Sequence, residues 1–144
     1  MEHPETPIAK AINRAHTALL RDLKALEVIA RRASTSGPEA LRARLEAMRA
    51  HIIEHFRFEE EDGYMDAVRR LEPRLERAIE QLAEEHRQLL DSLDALRTEI
   101  ATLPSANEAV ATKVSAWVQK LQKHEARENH LMQDAFGLDI GTTD

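Results

Sequence analysis

Apolar residues recur along most of this chain at spacings of three and four, the period of an amphipathic helix. Ile8, Ile12, Leu19, Leu23, Leu26 and Ile29 define one face of a first helix. Thr6 can cap it, and Pro7 suits its first position, where a missing N–H does no harm. The helix is expected to stop near STSGPEA, where Ser36 and Glu39 form a capping box for a second helix with Pro38 in its first turn. Leu41, Leu45, Met48 and Ile52 carry that second helix to Asp62-Gly63, which weakens or bends it. A helical stretch, YMDAVRRL, leads on to a reversal at Glu72-Pro73.

A third long helix follows through Leu75, Ile79, Leu82, Leu89, Leu93, Leu96 and Ile100. Ser105 and Glu108 make a second capping box. The fourth helix carries Val110, Val114, Trp117, Leu121 and Leu131, with Gly137 placed to end it. The last residues, DIGTTD, read as a loose tail. The expected fold class is all-α: an up-down-up-down antiparallel four-helix bundle, a single domain over residues 1–144 with its core at about 7–136.

Composition supports this picture and removes several functions. Four glycines and five prolines leave long runs of helix-favouring residues between them. There is no cysteine, which excludes disulfides, thiolate metal sites and cysteine nucleophiles. A net charge of -6 argues against nucleic acid or an anionic membrane as partner. No segment reaches a membrane span, and MEHPETPIAK lacks a signal peptide's regions, so a cytoplasmic location is expected. Neither a G-x-S-x-G nor a P-loop is present. Arg42, Arg44 and Arg49 alternate with acids and read as a solvated face.

Four of the seven histidines fall on the apolar stripes. His16 is in register with Ile12, Leu19 and Leu23; His55 with Met48 and Ile52; His86 with Ile79 and Leu93; His124 with Trp117 and Leu121. Each lies on a different helix. Glu59 and Glu128 follow two of them by one turn on the same inner face. In an antiparallel bundle the four imidazoles share a height, since each lies about 18–20 residues, or roughly 30 Å, from the first or third turn. One histidine on an apolar face is commonly a satisfied core residue, and a purely structural bundle remains the bland alternative. Four at one level with two glutamates are hard to satisfy by mutual hydrogen bonding, and a metal ion resolves the conflict.

A lone His on the first helix, HFRFE on the second, EEH on the third and HEARE on the fourth resemble the hemerythrin-like (HHE cation-binding) family over roughly residues 8–135. The resemblance implies a bundle around two non-haem iron ions with a bridging oxo or hydroxo group, although manganese or zinc also suits such donors. It implies His16, His55, His86 and His124 as terminal ligands and Glu59 and Glu128 as bridges.

The chain departs from the oxygen-carrying members, which have a second histidine on the third helix. Here Leu82 and Leu90 stand one turn either side of His86. One metal therefore lacks a nitrogen donor, which puts reversible oxygen carriage in doubt. Tyr64, five residues after Glu59 and next to Gly63, is a candidate replacement ligand; the alternative is a tyrosine packed at the bundle's end. His51 and Glu60 are candidates for contact with the ligands, with His51 alternatively a ligand in a shifted site or a residue of the rim. Glu60, Glu85 and Glu125 each adjoin a ligand position and are expected mostly on the solvated face, or orienting an imidazole. His130 should face outward, and His3 lies in the tail.

The expected function is reaction with a small oxidant (peroxide, oxygen or nitric oxide), with peroxide decomposition or redox sensing favoured over transport. Catalase- or peroxidase-like turnover is one form of it, and Glu60 is a candidate proton relay. The alternatives are an iron- or oxygen-sensing interaction module, or oxygen binding or iron storage without turnover. No protein partner is indicated by the sequence.

Overall fold

The computed structural model describes residues 7–61, 64–103, 105 and 107–136. Five α-helices account for nearly all of them: α1 (Pro7–Ser36), α2 (Glu39–Glu61), α3 (Tyr64–Leu71), α4 (Glu76–Ala101) and α5 (Glu108–Phe136), with a 3-10 turn at Pro73–Leu75 before α4. No strand occurs among the described residues. The four long helices close a ring, since α1 packs on α2 and α5, and α4 packs on the same two. The short α3 lies across one end, against α2 and α5. No described helix is long and apolar enough to cross a membrane.

The apolar stripes meet inside the ring. Leu19, Leu23 and Leu26 of α1, Leu41, Leu45 and Ile52 of α2, Leu93 and Ile100 of α4, and Val114 and Leu121 of α5 form the main core, all but sealed from solvent. Trp117 packs there and donates its indole N–H to the Leu89 carbonyl at 3.0 Å. A second, smaller cluster closes the other end, where Tyr64, Met65 and Val68 of α3 pack with Ile12, Ile79, Leu82, Leu131 and Met132. The polar residues of interest lie between these two apolar masses.

The helix ends differ from the sequence expectation in two places. Ser36 does not cap α2. It closes α1, with its hydroxyl on the Arg32 carbonyl at 2.9 Å. Gly37 then takes φ +93, the left-handed conformation that glycine adopts without penalty, and its N–H returns to the Ala33 carbonyl at 2.9 Å. Ser105 does not cap α5 either. Asn107 does, its side-chain oxygen accepting the Val110 N–H at 3.1 Å. Arg42, expected on the solvated face, reaches across to carbonyls at and just past the end of α4, at 3.2 Å from Ile100 and 2.5 Å from Leu103. Thr6, Gly137, the Asp62-Gly63 bend, the side chain of Ile8 and the tail with DIGTTD, as well as His3, lie outside the described residues.

Candidate metal centre

Burying three carboxylates in a helical bundle is costly unless positive charge accompanies them. Here Glu59 of α2 and Glu125 and Glu128 of α5 are all buried, and the buried charged and polar set contains no lysine or arginine. Its other members are His55, His86 and His124. The six side chains converge in one layer. Their donor atoms form two groups, each compact enough for one ion: Glu59, His86, His124 and Glu128 in the first, and His55, Glu59 and Glu125 in the second.

Glu59 belongs to both groups, and its two oxygens divide between them. Oε1 lies 3.2 Å from His86 Nε2, and Oε2 lies 3.3 Å from His55 Nε2. Glu128 is turned differently. Its Oε1 faces both His124 Nε2 and, at 3.3 Å, His86 Nε2, whereas its Oε2 accepts the Tyr64 hydroxyl.

The imidazoles are oriented from outside. His86 Nδ1 is 2.6 Å from Glu60 Oε2, and His124 Nδ1 is 2.7 Å from Glu85 Oε1, which Arg127 also holds. A carboxylate on Nδ1 fixes the ring and leaves Nε2 pointing inward with its lone pair available, the usual arrangement behind a metal-binding histidine. Phe56 stacks on His86 with ring centroids 3.9 Å apart and the planes 7° from parallel, which holds the ring against rotation.

Electrostatics describe a layer short of positive charge. Burial, together with Glu128 and Glu125, pushes the Glu59 carboxyl well above its ordinary range. Burial and Glu128 likewise push Glu125 up, against the pull of His55. Burial acts to raise Glu128 too, but His124 and His86 outweigh it and hold that carboxyl well down. Burial would lower the His86 imidazole, yet Glu128 and Glu59 raise it to about 10. In the absence of any other cation, protons shared among these side chains serve as the counter-charge.

Several contacts are close without being hydrogen bonds. His55 Nε2 lies 2.5 Å from Glu125 Oε1, but both atoms are buried without a hydrogen-bond partner. His124 Nε2 and Glu59 Oε1 are likewise each buried without a hydrogen-bond partner. Inward-facing nitrogen and oxygen donors with no aligned partner fit a metal ion, which needs lone pairs rather than protons. The donor set of imidazoles and carboxylates suits iron, manganese or zinc.

His16 is half-buried and lines a void of about 10 Å³ with His55, Glu59, Tyr64, Glu125 and Glu128, outside the two converging groups. Tyr64 is buried on the same void. Burial, Glu128 and Glu59 push its phenol well up, so it stays protonated and donates to Glu128. His51 pairs with Asp22 of α1 at 2.5 Å, its ring 6.4 Å from that of His55. His130 is exposed.

Glu125 is the residue the sequence reading underrated. It was expected on the solvated face or orienting a histidine, because adjacent helix residues point about 100° apart. The buried face of α5 is wide enough to include both His124 and Glu125, as it includes both Trp117 and Val118 and both Leu131 and Met132. The signal was the seven-residue register Val118, Glu125, Met132.

The curated proteins and the solved structures yielded no match to this chain. The family model of the Hemerythrin HHE cation binding domain matches residues 8–136, which includes every donor described above. With nearly the whole chain matched and a buried histidine–glutamate cluster at its centre, this protein belongs to the hemerythrin HHE cation-binding family.

Proposed function

We propose that this layer holds two non-haem iron ions and reacts with a small oxidant, such as peroxide, oxygen or nitric oxide. The observation that carries the reading is Glu59, whose two oxygens face two separate donor groups, as a carboxylate bridging two ions would. The reading takes the four long helices as an up-down-up-down antiparallel bundle, in keeping with the short links at 37–38 and 102–107.

Iron bound there would supply electrons to, or accept them from, the small molecule. The chain's own residues do the rest. Glu60 and Glu85 keep His86 and His124 aimed inward. The void of about 10 Å³ has room for about one water-sized molecule, which excludes bulky organic substrates. Tyr64 presents a protonated hydroxyl at the edge of that void and can return a proton to Glu128 or to a bound ligand. Phe56 and the apolar clusters above and below keep bulk water out.

Peroxide decomposition or redox sensing is favoured over oxygen transport because the third long helix supplies only His86. The decisive experiment combines metal analysis of the purified chain with peroxide turnover. Two irons per chain, and peroxide loss that disappears in His124→Ala but persists in His130→Ala, are expected. Identical background rates in both variants would remove turnover and leave sensing. An absence of metal after anaerobic iron loading would remove the centre itself.

A further inference from the structure

The two donor groups are not alike. The first has two imidazoles, His86 and His124, with Glu59 and Glu128. The second has one imidazole, His55, with Glu59 and Glu125. The extra helix-three histidine that the chain lacks would stand one turn from His86, beside the first group, and Tyr64 is the replacement that the sequence suggests. The structure directs Tyr64 elsewhere, since its hydroxyl is committed to Glu128. The atom aimed into the second group is Glu125 Oε1, from a residue 2% exposed, 2.5 Å from His55 Nε2 and without a hydrogen-bond partner.

We infer that Glu125 is a metal donor, that it belongs to the second position with His55 and Glu59, and that the two positions are therefore chemically unequal. The inference rests on the metal centre proposed above. The first position, with more nitrogen, holds a borderline ion such as Co²⁺ or Zn²⁺ more tightly. The second, richer in carboxylate, favours harder ions such as Mn²⁺ and exchanges them more readily. Glu125 has no other evident purpose at that depth. Among the described residues no lysine or arginine lies in the buried set to neutralise it, and its closest ion-pair contact is His55. A buried carboxylate paired with an imidazole that is itself needed as a ligand is stable chiefly when a cation joins the two.

The test is anaerobic titration of the metal-stripped full chain with Co²⁺ against a competing chelator, followed by the visible absorption of the bound ion. The wild-type chain is expected to take two equivalents, the second at least tenfold weaker and spectrally distinct. Glu125→Gln should take one, with the spectrum of the first preserved, and Tyr64→Phe should still take two. A second equivalent bound by Glu125→Gln with unchanged affinity would overturn the inference while leaving the dinuclear centre standing. Loss of the second equivalent in Tyr64→Phe but not in Glu125→Gln would overturn it in favour of the tyrosine. If the wild-type chain takes no metal, both proposals fall together. Should Glu125→Gln not fold, Glu125→Asp keeps the charge but withdraws the carboxylate by one methylene. It must then weaken the second step at least tenfold, and an unchanged second step would overturn the assignment.

Discussion

The same four helices build two very different regions. Towards the links at 37–38 and 102–107, the interior is leucine, isoleucine and valine, with residues such as Leu23, Leu41, Leu93 and Leu121 entirely removed from water. Past Phe56 the interior becomes three imidazoles and three carboxylates, closed off beyond by Tyr64, Met65 and Val68. The first region adds stability without any cation, because each buried leucine contributes about 1.5–3 kcal/mol through removal from water. The second contributes only when its charge is balanced. One end of the bundle thus supplies apolar burial, and the other carries a layer that is costly to bury.

The largest expected effect tests the independence of the first region. Leu23→Ala empties part of a fully buried site and should cost about 2–5 kcal/mol. The loss, read from urea unfolding midpoints, should be nearly equal in metal-loaded and metal-stripped protein. A cost that vanishes in one of the two states would show that the two halves are energetically coupled.

Glu59→Gln should behave in the opposite way. In the stripped chain it removes one of three mutually repelling buried carboxylates and should leave stability unchanged or raise it by about 1 kcal/mol. In the loaded chain it removes the bridge and should lower both metal content and melting temperature. The sign change between the two states is the signature of a layer whose stability depends on its cation. Equal destabilisation in both states would mean that Glu59 serves the fold by itself.

Most of the fold was legible from spacing, because period-3.6 stripes over 20 or more residues leave few alternatives to long helices. The layer was legible for the same reason: His55, His86, His124, Glu59 and Glu128 are visible as polar interruptions of those stripes. What spacing cannot show is contact between helices. Glu60 meets His86 across 26 residues of chain and Glu85 meets His124 across 39, so neither pairing leaves a trace in a single-helix pattern. Helix ends were misread where two candidate caps stood close together. Asn107 took the role assigned to Ser105 because it directly precedes the first residue of α5. Glu125 was underrated because the inner face was treated as one residue wide at each turn.

The smallest expected effect separates the regions by acid. On the outside of the apolar half, Asp94 accepts Arg49 at 2.8 Å and Arg97 at 2.8 Å. Its slight burial acts to raise its carboxyl, but the two guanidiniums outweigh this and hold it below its ordinary value of 3.8. A depressed folded value means that the pairing stabilises above the unfolded value and is lost as pH falls through the folded one. Asp94 is more than a third exposed, so solvent screens the pair, and Asp94→Asn should cost only about 0.5 kcal/mol at neutral pH. That cost should fade below about pH 4. The metal layer should respond at higher pH, because protons compete with metal for His55, His86 and His124. Unfolding midpoints of wild type and Asp94→Asn, measured in loaded and stripped protein from pH 7 to 3, distinguish the two. The loaded-minus-stripped difference should collapse first, and the Asp94 difference should persist to lower pH in both states. If the two differences faded together, the polar layer and the apolar half would be titrating as one cooperative unit, and the separation drawn between them would be wrong.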